Sequence, residues 1–241
     1  MKVMAIIQAR MDSTRLPGKV LMELCGHPVL YHIIERVKQV KCINQILVAT
    51  STNAEDNVIY DFCQAIGVDC FRGDNSNVLH RYFDAAASGH AEPDDIIIRL
   101  TADNPLVDPI VLDGLLAYFE QCDAPYASTS GFPLGVGAEV FTYSTLTETF
   151  EQATKAYEKE HVTPYMYREG RIIGQFIAPT DYSRFRFTMD TPEDYEFIKQ
   201  IYRSLYHGSH NFYLNDVLDL LKEHPCIAEI NAHVQQKGVE E

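Results

Sequence analysis

Short apolar runs alternate with longer amphipathic stretches through the first half of the chain, and this alternation sets the expected architecture. Val3-Met-Ala-Ile-Ile7 is five residues long, rich in branched side chains and without a polar face, the pattern of a strand buried on both sides. Val29, Leu30, Ile33, Ile34 and Val37 then recur at helical spacing. Ile46 to Ala49 reads as a second strand, Ser51-Thr-Asn53 as a helix cap ahead of Val58, Ile59, Phe62 and Ile66, and Val68 to Phe71 as a short strand. A helix from Asn77 to Ala87, a strand from Ile96 to Leu100 and a helix opened by Asp108-Pro109 and running through Phe119 continue the series. Such alternation predicts an α/β fold, a mostly parallel mixed sheet flanked by helices.

The pattern loosens in the second half. Ala124 to Ser128 and Ala138 to Tyr143 read as strands around a Gly/Pro-rich connection from Gly131 to Gly137. Helices at 144–154 and 157–169, strands near Ile172 to Ile177 and Phe185 to Met189, and helices from Pro192 to Leu205 and Leu214 to Lys222 follow. With no repeat, low-complexity tract or linker, the 241 residues are expected to form one domain, 1–241.

The segment after the first apolar run carries the most distinctive chemistry. Gln8-Ala-Arg-Met-Asp-Ser-Thr-Arg-Leu-Pro-Gly-Lys19 places Arg10, Arg15 and Lys19 beside the hydroxyls of Ser13 and Thr14. This loop should open at the strand's carboxyl end, the edge where open α/β sheets bind ligands. Arginine forks and a lysine point charge suit phosphate oxygens, and Gly18 lets backbone amides come close. The chain as a whole has 20 Lys+Arg against 34 Asp+Glu, a formal charge of −14, so this local enrichment is not background. A solvated basic turn would also have no need of the constrained path set by Pro17 and Gly18. No Walker loop is present. Gly135-Val-Gly137 begins a dinucleotide fingerprint, but Val140 stands where its third glycine should be, so the pair reads as a turn.

A polyphosphate site implies a hard cation such as Mg2+, which prefers carboxylate oxygens. Asp108 reads as an N-cap, and Glu193 and Asp194 fall in a first helical turn after Thr191-Pro192, where acids favour the dipole. Asp103, just past the strand Ile96 to Leu100, and Asp190, at a strand-to-helix corner with its carboxylate expected free, have no such duty. Either alone could be an Asx-turn; together with the basic loop they form a phosphate-plus-metal constellation. His207-Gly-Ser-His210 has metal-like spacing without a neighbouring cysteine, so zinc is not expected there, and His161 reads as a surface or interface residue. The acidic balance argues against nucleic-acid and anionic-membrane partners. A five-residue apolar start is too short for a signal peptide, no stretch approaches a membrane span, and six scattered cysteines without C-x-x-C spacing fit a reducing cytoplasm.

These segments, taken in order, resemble the cytidylyltransferases that activate acidic sugars, the CMP-Kdo and CMP-acylneuraminate synthetase superfamily, and within it the spore coat polysaccharide biosynthesis protein F branch. The resemblance lies in Ala9-Arg10, Ser13 to Lys19, Gly26-His-Pro28, Val48-Ala-Thr50, Gly73-Asp74, Val78-Leu79 with Arg81-Tyr82, Thr101-Ala-Asp103, Glu160 to Tyr165 and Asp190 to Tyr195. It implies a nucleotide-diphospho-sugar transferase fold of the glycosyltransferase-A kind, CTP and a small sugar as substrates, Mg2+ dependence, and a homodimer. It further implies that Ala9, Arg10, Ser13, Thr14, Arg15 and Lys19 hold the nucleotide, that Arg72 to Arg81 line its pocket, and that Asp103 and Asp190 hold the metal. Residues 131–180 would supply the acceptor pocket and dimer contacts. The family's acceptor segment commonly reads Gly-Leu-Asp-Val-Glu; here it is Gly135-Val-Gly-Ala-Glu139, without the aspartate at Gly137. Sugar transfer by a glycosyltransferase of this fold, nucleotidyl transfer to a sugar 1-phosphate, and nucleotide binding without turnover are the rival readings.

Overall fold

The structure, a computed structural model, describes residues 1–168 and 170–236. Its elements run β1 (Val3–Gln8), β2 (Glu23–Leu24), β3 (His27–Pro28), α1 (Val29–Val37), β4 (Gln45–Ser51), α2 (Asn57–Ala65), β5 (Asp69–Gly73), α3 (Val78–Ser88) and β6 (Ile96–Thr101). They continue with α4 (Pro109–Gln121), β7 (Tyr126–Ser130), β8 (Glu139–Thr142), α5 (Tyr143–Gln152), α6 (Ala156–His161), β9 (Gly174–Ile177), α7 (Pro192–Leu205), α8 (Leu214–Glu223) and α9 (Pro225–Glu229).

Seven strands form one sheet in the order β5-β4-β1-β6-β8-β7-β9, while β2 and β3 make a separate small hairpin. The β5-β4-β1-β6 portion is parallel, β8 is antiparallel to both β6 and β7, and β9 returns parallel to β7. The expected mixed, mostly parallel sheet is therefore present. Side chains alternate across β1 as pleating requires: Val3, Ala5 and Ile7 face a core shared with α1, α4 and α7, and Met4 and Ile6 face one shared with α3 and α5. From β1 the chain builds β4 and β5 on one side, then crosses to add β6 on the other. The loops after β1 and β6 consequently diverge at a topological switch point, which opens a crevice between them.

Several expected elements differ. Ser51 ends β4 instead of capping a helix, and a 3-10 turn over Ala54–Asp56 precedes α2. The helix expected over 157–169 stops at His161, and its last expected residue, 169, lies outside the described residues. Val162 adopts φ 71°, ψ −56°, with the Thr163 amide donating to the His161 carbonyl at 2.8 Å, a strained γ-turn. Pro164 then disfavours a helical Thr163. Phe185 to Met189 is no sheet strand. Its amides serve loops, Phe187 donating to the Leu134 carbonyl (2.7 Å) and Met189 to that of Asp103 (2.8 Å), because only the bridge between Leu134 and Arg186 is ladder-like. All six cysteines are free; Cys63 is buried, but Cys42 and Cys226 are exposed and not in the apolar core.

His210, doubtful as a zinc ligand in the sequence, is buried against His32 with their rings bonded Nε2 to Nδ1 at 2.8 Å. The other nitrogen of His32 lies 2.6 Å from the Leu24 carbonyl, which only accepts. His32 therefore carries its proton on Nε2 and accepts through Nδ1 from the Nε2–H of His210, so both rings are neutral. Burial, followed for His210 by the nearby Arg36 charge, pushes each down to about 4 from an ordinary 6.5. The unfolded chain then binds more protons than the folded one between those values. Stability contributed by the pair is fully present above pH 6.5 and is lost as pH falls toward 4. Urea unfolding from pH 7 to 4 should show that decline, and His210→Gln should flatten it; an unchanged pH slope in the variant would refute this.

Candidate active site

Two carboxylates separated by 87 positions in sequence meet at one ammonium. Lys19 Nζ lies 2.6 Å from Asp103 Oδ2 and 2.8 Å from Asp190 Oδ1. Each partner is delivered by a separate part of the fold. Lys19 follows Gly18, whose φ of 69° is the left-handed turn that the glycine permits, and opens a short 3-10 helix. Asp103 follows β6 and is oriented by Thr101, whose hydroxyl donates to Asp103 Oδ1 at 2.5 Å and accepts from Asn104 Nδ2. Asp190 reaches the cluster because the Met189 amide is bonded to the Asp103 carbonyl.

Asp190 is not free, contrary to the expectation from sequence. Besides Lys19, its Oδ2 takes Arg186 Nη2 at 2.5 Å and Arg15 Nη2 at 3.2 Å. Arg186 is itself fixed: its Nε contacts both oxygens of Asp194 (2.9 and 3.1 Å), a carboxylate with no exposure to solvent, and its Nη1 donates to Gln236. Asp194 also accepts the amides of Asp190 and Thr191, and Asn231 donates to it. Its place in the first turn of α7 was legible in the sequence; its pairing with Arg186 was not, since that depends on the non-sheet path of residues 185–189. Burial opposes ionisation of Asp190, but Lys19, then Arg186 and Arg15, outweigh it and hold the carboxyl below its ordinary range. Burial likewise opposes the Lys19 charge, and the two aspartates outweigh that, raising the ammonium above its usual value.

These groups sit in a cleft of about 1050 Å³. Arg10, Ser13, Thr14, Arg15 and Lys19 line one wall; Arg10 also pairs with Asp12 at 3.0 Å. Ala9 is buried beneath them, its amide on the Ala49 carbonyl. Arg72 and Arg81 lie outside this lining, on the β4–β5 side. Arg72 donates to the carbonyls of Ser51 and Asn53. Arg81 is fully buried and bonded through Nη1 to the Asp74 carbonyl, and among the described residues its Nε and Nη2 have no partner.

The opposite wall comes from the second half of the chain. Glu139 is saturated there by Arg99 (2.5 Å), the Tyr126 hydroxyl (2.6 Å) and the Thr163 hydroxyl (2.7 Å). Glu160 and His161, carried just ahead of the γ-turn, also line this wall, whereas His161 alone was expected as a surface or interface residue. The absent aspartate at Gly137 has a steric reason. A Cβ there would stand 2.0 Å from Thr129 Oγ1, so Thr129 occupies the space a side chain needs.

A protein-family signature described as cytidylyltransferase matches residues 4–222 of this chain. The chain belongs to the cytidylyltransferase family. It is 37% identical over 211 residues to the spore coat polysaccharide biosynthesis protein SpsF of Bacillus subtilis, covering 83% of this chain and 86% of that one. A cytidylyltransferase from Leptospira borgpetersenii superposes with a TM-score of 0.88 at 32% identity, covering 99% of both chains. CMP:2-keto-3-deoxy-manno-octonic acid synthetase, solved in complex with CTP, shares the fold at a TM-score of 0.66 and 20% identity, over 85% of this chain and 99% of that one. As a cytidylyltransferase the protein is a CTP-dependent nucleotidyltransferase, and the likeness to the sugar-acid synthetase fold agrees with the architecture expected from the strand pattern.

Proposed function

We propose that this cytidylyltransferase transfers CMP from CTP to a hydroxyl of a small sugar acid of the Kdo or sialic-acid type, for surface polysaccharide synthesis. The observation that carries the reading is the pair Asp103 and Asp190 held by Lys19 at the mouth of a basic loop. In the reaction the sugar oxygen forms a bond to the α-phosphorus, the bond to the β-phosphate bridge breaks, and pyrophosphate leaves. No protein nucleophile is required; positioning and charge neutralisation supply the catalysis. Arg10, Arg15 and Lys19 would hold the phosphates.

The site fits a divalent cation: two carboxylates already share one small cation, with Thr101 orienting one of them and Arg186 the other. Asp103 and Asp190 would hold Mg2+, which when bound supplies Lewis-acid polarisation of the phosphate oxygens. With the cation there, Lys19 and Arg15 would be free to meet the triphosphate, whereas Arg186 would stay fixed by the buried Asp194. A glycosyltransferase of this fold would carry Asp-x-Asp at this turn; here Thr101 stands at the first position and serves only to orient Asp103.

We also infer a symmetric dimer. Ile172, Ile173 and Ile177 are exposed on and beside β9, the terminal strand of the sheet, and Leu134 and Tyr167 are exposed in the same part of the chain. Exposed apolar side chains along an unpaired strand edge suit a second copy of the same surface. Light scattering at micromolar concentration should give twice the chain mass for wild type and the single mass for Ile177→Lys; a monomeric wild type would reject the dimer.

The functional test is pyrophosphate release with CTP, UTP, GTP and ATP against a panel of sugar acids. Turnover should require CTP and a sugar acid, and Asp103→Asn should lower it by about two orders of magnitude or more with the fold intact. Turnover of a sugar 1-phosphate in place of a sugar acid, or near-normal rates in the variant, would contradict the reading.

A further inference from the structure

Asp56 is a buried carboxylate that none of the preceding chemistry uses. It stands at the first residue before α2, where an acid ordinarily caps the helix, yet its backbone is helical and its side chain makes no cap bond. Its oxygens point elsewhere. Oδ1 accepts the Met11 amide at 2.8 Å, and Oδ2 accepts the Ser51 hydroxyl at 2.5 Å. Met11 is the hub of the basic loop, because its carbonyl accepts both the Ser13 amide (2.9 Å) and the Gly18 amide (3.0 Å) and so closes the turn that presents Arg15 and Lys19. Ser51 is the last residue of β4: its hydroxyl also accepts the Asn53 amide, and Arg72 clamps the carbonyls of Ser51 and Asn53. With only 3% of its surface exposed, Asp56 cannot reach a ligand in the cleft.

We propose that Asp56 is a positioning residue: it ties the basic loop, through the Met11 amide, to the Ser51 end of β4 and thereby sets where Arg15 and Lys19 meet the triphosphate. This rests on the reading of that loop as the CTP phosphate site. A hydrogen bond from a backbone amide to a charged carboxylate is among the stronger ones available to a loop, and among the described residues Asp56 is the side-chain acceptor of the Met11 amide. Removing it frees the turn without touching the ligand-facing side chains. Asp56→Asn keeps one acceptor oxygen and should fall between wild type and Asp56→Ala.

The test combines two measurements. Amide hydrogen exchange by NMR on the nucleotide-free protein should show Met11 exchanging at least about tenfold faster in Asp56→Ala, with β1 and β4 amides still protected. Calorimetric titration should show CTP binding weakened about tenfold or more, CMP much less, and Asp56→Asn intermediate. Unchanged Met11 exchange, or equal losses for CTP and CMP, would overturn the assignment. Should Asp56→Ala not fold, wild-type CTP affinity in Asp56→Asn would do the same. A wild-type protein that binds no CTP, while Met11 still responds to the substitution, would instead overturn the nucleotide reading on which the assignment depends.

Discussion

The site is organised around one ammonium shared by two carboxylates. Lys19, Asp103 and Asp190 come from three well-separated stretches of sequence, and each is brought to the same point by a different constraint: a left-handed glycine before Lys19, the end of a buried parallel strand before Asp103, and a backbone hydrogen bond from Met189 to Asp103. Around them, Arg15, Arg186 and Asp194 complete a set of three cations and three carboxylates. Such a cluster is compensated internally, and adding a cation to it requires that another leave or that new negative charge arrive. A nucleoside triphosphate would bring that charge. In the proposed reading the two cations of the basic loop would follow the phosphates, while Arg186, bonded to the buried Asp194, keeps Asp190 in place.

The parallel half of the sheet was legible because its signals are local. Val3 to Ile7, Ile46 to Ala49 and Ile96 to Leu100 are apolar on both faces, so each reads as a buried strand without reference to the rest of the chain. The basic loop was equally plain, since three cations within ten positions stand out in an acidic chain. Asp103 and Asp190 were found by removing acids with ordinary capping duties. Asp194 lies in the first turn of α7 as expected and also anchors Arg186, because one carboxylate can accept from several donors at once. Asp56 has no such local signal: its position before α2 resembles a cap although its bonds run to Met11 and Ser51. Residues 185–189 have strand composition but sit beyond any free ladder, and their hydrogen bonds go to loops; sequence pattern reports burial, not the partner. The γ-turn at Val162 was out of reach for a related reason, since a branched residue at positive φ opposes its own local preference and is held there by tertiary contacts.

The second half of the chain closes the cleft and gives it its individual character. Glu139 is engaged by Arg99, Tyr126 and Thr163, so this wall is polar and internally bonded, and Thr129 fills the space that a side chain at position 137 would need.

The central claim is that Lys19 is the exchangeable counter-ion of the Asp103–Asp190 pair in the nucleotide-free enzyme. Mn2+ binding followed by water-proton relaxation, without nucleotide, on wild type and Lys19→Met tests it most directly. The account predicts tighter Mn2+ binding in the variant, because the carboxylates lose their internal cation, and loss of that binding when Asp190→Asn is added. Mn2+ affinity unchanged or weaker in Lys19→Met would contradict it.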